Sequence, residues 1–200
     1  MLGLESTTDG AWVHAALTDP IALLADHAHC ELKAATTALS LATRHADHPD
    51  LVRSLTALAE EEIGHFRRAF ELLCERGATL GPPPVDVYAA RLRKAIPGAT
   101  TLVDRLLVAA LIEARSCERF RLLADHAADP ALRALWGELL ASEAGHYRAF
   151  LDLAMAEGAH VGLTEEVVRA KHKRLAEAEA EIVRTIALEA GSGPRASVHG

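Results

Sequence analysis

The sequence predicts an all-α protein with two long helical hairpins, a long crossover between them and an additional C-terminal helix. Three observations support this prediction. Half of the 200 residues are hydrophobic but only 4% are aromatic, and the abundant Ala and Leu favour helices over strands. Apolar residues recur at the spacing of amphipathic helices. Proline and glycine divide the chain into segments of about 27 residues, each enough for a helix of roughly 40 Å.

The first hairpin is delimited by proline and glycine. Pro20 follows a capping aspartate and begins a helix that we expect to end near Ala46. Pro49 begins the second helix, which is predicted to end at Arg76 because Gly77 readily adopts the left-handed conformation of a helix end. Only a few residues connect the two helices, so they are expected to run antiparallel.

The crossover is the longest connection. The segment 77–84, GATLGPPP, cannot be helical. A short amphipathic helix is predicted in 85–96, before Pro97-Gly98 ends it. More than twenty residues therefore separate the two hairpins, which is the connectivity of a ferritin-like four-helix bundle.

The second hairpin repeats the first. A third long helix is predicted from about Thr101 to Ala128, and Pro130 begins a fourth that ends at Glu157 because Gly158 follows it. The additional C-terminal helix is expected between the cap Thr164 and about Leu188. We expect one ferritin-like di-iron domain over residues 1–190, and residues 191–200 have the composition of a flexible tail.

The main functional signal is one motif present twice: a lone Glu, followed 31 residues later in the first copy and 30 in the second by Glu-x-x-His. Each member interrupts an apolar stripe that otherwise faces a core. Four Glu and two His arranged in this way on four helices are the ligand set of a carboxylate-bridged di-metal centre. The predicted ligands are Glu31, Glu62, His65, Glu113, Glu143 and His146.

Electrostatics explains why such residues need metal ions. An ionised carboxylate buried without a partner costs several kcal/mol, and four together repel one another. Two divalent cations balance the four negative charges. Glu and His three residues apart share one helix face, so both can reach the same ion. This donor set favours iron or manganese over zinc.

The remaining titratable residues permit more than one interpretation. His27 precedes Glu31 by one helical turn, so it either lines the pocket and bonds a ligand or is a capped or surface histidine. Glu61 is expected in solvent, and Glu118 is expected to pair with Arg115 or Arg121. The other histidines are predicted to lie on the surface or in loops: His14, His29, His45, His48, His126, His160, His172 and His199.

Cysteines and charge limit the class of protein. Three cysteines without C-x-x-C spacing make a disulfide scaffold or zinc ribbon improbable, and Cys30 and Cys117 are predicted to be buried apolar residues. The net charge of −7 disfavours a protein that coats nucleic acid. The start of the chain does not resemble a signal peptide. The longest apolar run, 106–112, is too short to span a bilayer. A cytoplasmic protein is therefore expected.

Four stretches resemble the bacterial tRNA hydroxylases that act on 2-methylthio-isopentenyl-adenosine beside the anticodon. They are DHAHCELKAATTALSL (26–41), LAEEEIGHF (58–66), LIEARSCERF (111–120) and LLASEAGHYRAFLDLA (139–154). The resemblance implies a non-haem di-iron monooxygenase that uses two iron ions at the six ligands and dioxygen as co-substrate; manganese or zinc can replace iron in a preparation. The family's C-terminal tail is matched poorly, with only 198–200 vaguely similar.

The resemblance also implies partners. The substrate would be a tRNA anticodon stem-loop, and a separate reductase or ferredoxin would supply electrons because no Gly-rich nucleotide-binding loop is visible. A monomer or weak dimer is expected. Two basic clusters either contact phosphates or are ordinary solvated faces: Arg91, Arg93 and Lys94 in the crossover, and Lys171, Lys173 and Arg174 in the last helix.

Two other functions compete with the hydroxylase. The first is a rubrerythrin- or ferritin-like di-iron protein that handles peroxide or iron without an organic substrate. The absence of rubredoxin-type cysteine pairs speaks against it. The second is a structural helical bundle in which both Glu-x-x-His motifs are coincidental.

Overall fold

The computed structural model of the protein describes residues 2–97 and 100–190, and within these ranges it is entirely helical. The described residues form seven helices and no strand, which confirms the predicted all-α class. The predicted stop at Gly98 and the tail 191–200 lie outside the described residues. The helices are α1 Gly10–Ala16, α2 Pro20–Arg44, α3 Pro49–Glu75, α4 Val87–Lys94, α5 Leu102–His126, α6 Pro130–His160 and α7 Glu165–Ala190.

The chain forms two compact units. The first, residues 16–85, is the hairpin of α2 and α3. The second contains the residues before 16 and those from 86 onward. In it α5 and α6 pair closely along their length, and α7 packs against α4, α5 and α6. Each hairpin therefore belongs to its own unit, and the units are described separately below.

Capping bonds mark the predicted starts of α2 and α5. The side chain of Asp19 accepts a hydrogen bond from the Ala22 amide at 2.9 Å, one turn into α2. At α5, Thr101 and Asp104 form a reciprocal capping box. These short-range bonds satisfy amide groups that have no partner within the helix, which is why local sequence is enough to place the starts.

One predicted helix end is wrong. The first hairpin ends as expected, with Gly77 at φ +68°. By contrast, α6 continues through Gly158 to His160, and Gly162 at φ +79° is the residue at which the chain turns. A Cβ on Gly158 would lie 2.6 Å from Cγ2 of Val168 in α7. Glycine is needed there because two helices approach closely, not because the backbone turns.

The short helix α1 was not expected from the sequence. It is only seven residues long, so it shows little periodicity. Asp9 caps it by accepting a hydrogen bond from the Ala11 amide at 2.7 Å, and Val13 is buried. Tertiary burial rather than intrinsic propensity therefore stabilises it. Among the described residues, no helix is both long and apolar enough to cross a bilayer.

Candidate metal centre

The first three predicted ligands meet in the α2–α3 hairpin. Glu31 projects from α2, and Glu62 and His65 project from α3, one turn apart on one face. Nδ1 of His65 lies 3.3 Å from Oε2 of Glu62 and 3.6 Å from Oε2 of Glu31. Both carboxylates are at most 4% exposed. Residues far apart in the sequence are thus brought together as one donor set.

The other three predicted ligands meet in the same way in the α5–α6 hairpin. Glu113 projects from α5, and Glu143 and His146 project from α6. Nδ1 of His146 lies 3.3 Å from Oε2 of Glu143, the same distance as in the first hairpin. All three side chains are buried. The two copies of the motif therefore have matching local geometry.

Each donor set fits a cation. In each hairpin one donor atom from each of the three residues lies within 4.8 Å of the others. Three ligands of one ion at about 2.1 Å would be separated by up to roughly twice that length. Two buried carboxylates side by side also repel each other unless a positive charge is present. Each hairpin thus offers two carboxylates and one imidazole suited to a divalent metal.

Two further side chains, Ser142 of α6 and Cys117 of α5, lie beside the predicted ligands of the second hairpin. Oγ of Ser142 lies 3.4 Å from Nε2 of His146, so it contacts the ring nitrogen opposite the one that faces Glu143. The thiol of Cys117, one turn after Glu113, donates to the Leu140 carbonyl at 3.4 Å. Burial, together with the charge of Glu143, raises the pKa of this thiol to about 12. The cysteine is therefore a neutral apolar neighbour, as predicted.

The histidines outside the donor sets differ from the predictions in part. His27 is fully buried, and its Nε2 lies 3.0 Å from Oε1 of Glu31, so the interpretation as a capped or surface residue is wrong. His29 is also buried, which contradicts its predicted surface position. His172 is half-buried and packs edge-on against the Tyr147 ring. His199 lies outside the described residues.

Other predicted surface positions are confirmed. The carboxylate of Glu61, next to a ligand in sequence, is exposed. His14, His126 and His160 are exposed, and His45 and His48 are partly exposed.

A buried polar network on α5 was largely missed by the sequence analysis. Arg115, fully buried, donates from Nε and Nη2 to the two carboxylate oxygens of Glu179 in α7, at 2.8 and 2.9 Å. The Tyr88 hydroxyl of α4 donates to the same carboxylate at 3.0 Å. The predicted pairing of Glu118 with Arg115 is confirmed at 2.5 Å. Glu179 falls between Ala176 and Val183, two apolar residues that are buried. This position on an apolar helix face was the sequence signal from which the burial of Glu179 could have been predicted.

The charged groups of this network shift one another's pKa values. Burial works to lower the pKa of Arg115, but its bonds to Glu179, together with the nearby charges of Glu179, Glu118 and Tyr88, outweigh burial and raise it. Arg119, also buried, stacks over the Trp12 ring at 4.7 Å. Its pKa falls to about 10 through burial and the nearby charge of Arg115. The network joins the N-terminal segment, α4, α5 and α7 within one unit.

The two basic clusters are each partly neutralised. Arg91 pairs with Glu189 at 2.7 Å, and Lys171 pairs with Asp104 at 2.7 Å. The other four members are exposed: Arg93, Lys94, Lys173 and Arg174. Within the two clusters, these four are the members whose side chains are exposed.

Comparison with known proteins places this site in a family. A model of the tRNA-(MS2IO6A)-hydroxylase (MiaE) family matches residues 2–190. A tRNA 2-(methylsulfanyl)-N(6)-isopentenyladenosine(37) hydroxylase of Pseudomonas putida is 43% identical over 176 residues, which cover 86% of this chain and 85% of that protein. The hydroxylase of the same name from Salmonella typhimurium is 30% identical, with 90% and 83% covered.

A solved structure is similar over nearly the whole chain. It is described as protein 43 with aldehyde deformylating oxygenase activity from Synechococcus. It matches with a TM-score of 0.86 and 37% identity, and the match covers 98% of this chain and 95% of that one. This similarity confirms the predicted ferritin-like fold class.

Paired Glu and Glu-x-x-His donor sets on an all-helical, ferritin-like scaffold define an oxygenase enzyme with a carboxylate- and histidine-rich site. Within that class, the match over residues 2–190 and the two relatives identify the family. The chain belongs to the tRNA-(MS2IO6A)-hydroxylase family, which confirms the resemblance found in the sequence.

Proposed function

We propose that this protein hydroxylates the isopentenyl group of 2-methylthio-isopentenyl-adenosine beside the anticodon of tRNA. One oxygen atom of dioxygen enters a C–H bond of the substrate, and the other leaves as water after taking up two electrons from a reductant and two protons from solvent. The observation that carries the proposal is the pair of matching donor sets, whose four carboxylates are all buried, in a chain that the family model matches almost from end to end.

The six predicted ligands would together hold two iron ions. Four carboxylates contribute four negative charges, which two divalent ions balance. Ligands from four helices are the arrangement expected of a ferritin-like di-metal protein. When bound, the reduced iron pair supplies the redox chemistry by which dioxygen is activated. Zinc at the same residues would bind without supplying that chemistry, because Zn²⁺ is not redox-active.

The protein residues provide the environment for the reaction. Both imidazoles present Nδ1 toward the carboxylate on the same helix, so each helix holds two donors in fixed register. Burial of the carboxylates excludes water and strengthens their interaction with a cation. Arg115 and Glu179 form an ion pair within their own network. Their opposite charges therefore offset each other and do not alter the charge balance of the predicted ligands.

Partners follow from the reaction. The electrons would come from a separate donor protein, and the substrate would be the anticodon stem-loop, with the modified nucleotide turned out of its stack to reach the buried ligands. The four exposed cations on α4 and α7 would contact phosphates. A cytoplasmic protein acting as a monomer or weak dimer fits this function.

The decisive experiment is nucleoside mass spectrometry. The iron-loaded protein is incubated with tRNA that carries the substrate base, a reductant and oxygen. We expect a nucleoside heavier by one oxygen atom. Glu62→Gln should lower its yield at least about tenfold, in line with the usual cost of disturbing a metal ligand. Glu61→Gln, at the adjacent exposed position, is the matched control and should retain full yield.

Two results would contradict the proposal. The first is unchanged tRNA after incubation with wild-type protein that has bound iron. The second is equal yield from the Glu61 and Glu62 variants. Oxygen consumption without any tRNA product would instead favour the rubrerythrin- or ferritin-like function, which the family match and the named relatives do not support.

A further inference from the structure

The two donor sets match at the ligands but differ one turn earlier. In the first copy the residue four positions before the lone Glu is His27, and in the second copy it is Ala109. His27 is fully buried, although imidazole is a polar group that requires a partner in the interior. Its Nε2 lies 3.0 Å from Oε1 of Glu31.

The two oxygens of Glu31 face different groups. Oε1 is directed to His27, whereas Oε2 lies 3.6 Å from Nδ1 of His65, which belongs to the donor set. One oxygen therefore faces a neighbour on its own helix, and the other faces the imidazole of a predicted ligand. If a metal ion is held by that imidazole, Oε2 would be the oxygen of Glu31 on its side.

We propose that His27 is a positioning residue for Glu31, and that it acts through the contact of its Nε2 with Oε1. This inference rests on the proposed function, because it assumes that Glu31 is a metal ligand. A polar contact with an ionised carboxylate in a buried site is strong. It would hold the carboxylate rotamer and keep Oε2 facing the imidazole of His65.

The consequence is that the two metal positions are not equivalent. Ala109, at the matching position of α5, has no side-chain group that can donate a hydrogen bond to Glu113, so the contact made by His27 has no counterpart at that position of the second copy. The two copies of the motif thus provide the same types of ligand but differ in the neighbouring residue that orients the lone Glu. Removing the imidazole should weaken one ion and leave the other unchanged.

Titration of the metal-free protein with cobalt(II), followed by its visible absorption, tests this proposal without any enzymatic assay. We expect wild-type protein to bind two ions. His27→Leu should bind one of them about 10- to 100-fold more weakly, the usual effect of losing a partner of a metal ligand. The matched control is His29→Leu, which replaces another buried histidine of α2 and should titrate like wild type.

A second pair of variants separates positioning from structure. The side-chain amide of His27→Gln can place a donor near the position of Nε2, whereas that of His27→Asn is too short to reach Glu31. We expect the glutamine variant to bind both ions within about threefold of wild type, and the asparagine variant to behave like His27→Leu. Both variants bury an amide, so this pair also decides the matter if the leucine variant does not fold.

Several outcomes would overturn the inference. Equal cobalt binding by wild type and His27→Leu would do so, as would equal binding by the glutamine and asparagine variants. Complete loss of one ion in both of those variants would make His27 a direct ligand instead. Wild-type protein that binds no cobalt would overturn the metal centre itself, so failure of the proposed function is recognisable separately.

Discussion

At the scale of single residues, repeated ligands contrast with unrepeated neighbours. The contact of His Nδ1 with Glu Oε2 measures 3.3 Å in both hairpins, because Glu-x-x-His on a helix sets the relative position of its two side chains. The neighbours one turn away differ: Ala35 follows Glu31, whereas Cys117 follows Glu113. Chemical differences between the two donor sets therefore come from these flanking positions.

Cysteine reactivity tests the burial of one of these neighbours. At pH 8 we expect iodoacetamide to label the exposed Cys74 in the folded protein and to leave Cys117 unmodified. Only the thiolate reacts, and the pKa of Cys117 is raised to about 12 by burial and then by Glu143. Peptide mass spectrometry measures both sites, and unfolded protein, in which all three cysteines should react, is the control. Equal labelling of both cysteines in the folded protein would contradict the prediction.

At the scale of helices, α5 carries two separate groups of polar residues. Glu113 and Cys117 lie with the ligands of its hairpin, whereas Arg115 forms a buried ion pair with Glu179 of α7. The segment IEARSCERF thus contains a predicted metal ligand and the centre of an interhelical network within nine residues. The network fixes the contact of α5 with α7 and the N-terminal segment.

Breaking this ion pair should be costly. Glu179→Ala leaves the Arg115 charge buried, and we expect it to lower the free energy of unfolding by about 3–5 kcal/mol. The control is Glu165→Ala on the same helix, whose partner Arg169 is exposed, and which should cost less than about 1 kcal/mol. Urea unfolding followed by circular dichroism measures both. The double variant Arg115→Met, Glu179→Leu should cost less stability than Glu179→Ala alone. Similar losses of stability in Glu179→Ala and Glu165→Ala would refute the prediction.

Close approach of α6 and α7 gives a second test at this scale. Gly158→Ala should destabilise the protein by about 1–3 kcal/mol, as expected for overpacking, because its Cβ would lie 2.6 Å from Val168. Gly137→Ala in the same helix meets no atom within 4 Å and should stabilise by up to about 1 kcal/mol through helix propensity. Thermal melts compare the two. The double variant Gly158→Ala, Val168→Ala should recover part of the loss, and stabilisation by Gly158→Ala alone would disprove the close contact.

At the scale of the whole molecule, the charge distribution bears on the proposed substrate. The net charge is −7, so binding to tRNA cannot depend on general electrostatic attraction. Ion pairs with Glu189 and Asp104 engage one cation in each basic cluster. Any phosphate contact by these clusters therefore falls to their exposed members.

Salt-dependent binding tests the role of these cations. We expect two double variants to weaken tRNA binding. One combines Arg93→Ala with Lys94→Ala, and the other combines Lys173→Ala with Arg174→Ala. Each should also reduce the slope of log K against log salt by about one for every phosphate that the variant no longer neutralises. Arg53→Ala is the control, because that exposed arginine pairs with Asp50 in α3. Filter binding over a range of salt concentrations measures the slopes. Unchanged slopes in both double variants would show that tRNA binds elsewhere.

Local sequence was enough to predict the four long helices of the two hairpins and the six candidate ligands. Asp19, Thr101 and Gly77 act through bonds or backbone angles within a few residues, and Glu-x-x-His sets its own geometry on one helix. The tertiary structure determines which residues contact one another and which become buried. Gly158 packs on α7, His29 is buried, and Glu179 meets Arg115 from 64 residues away. Burial depends on elements distant in sequence, so periodicity predicts which face is inward but not which polar group on that face finds a partner.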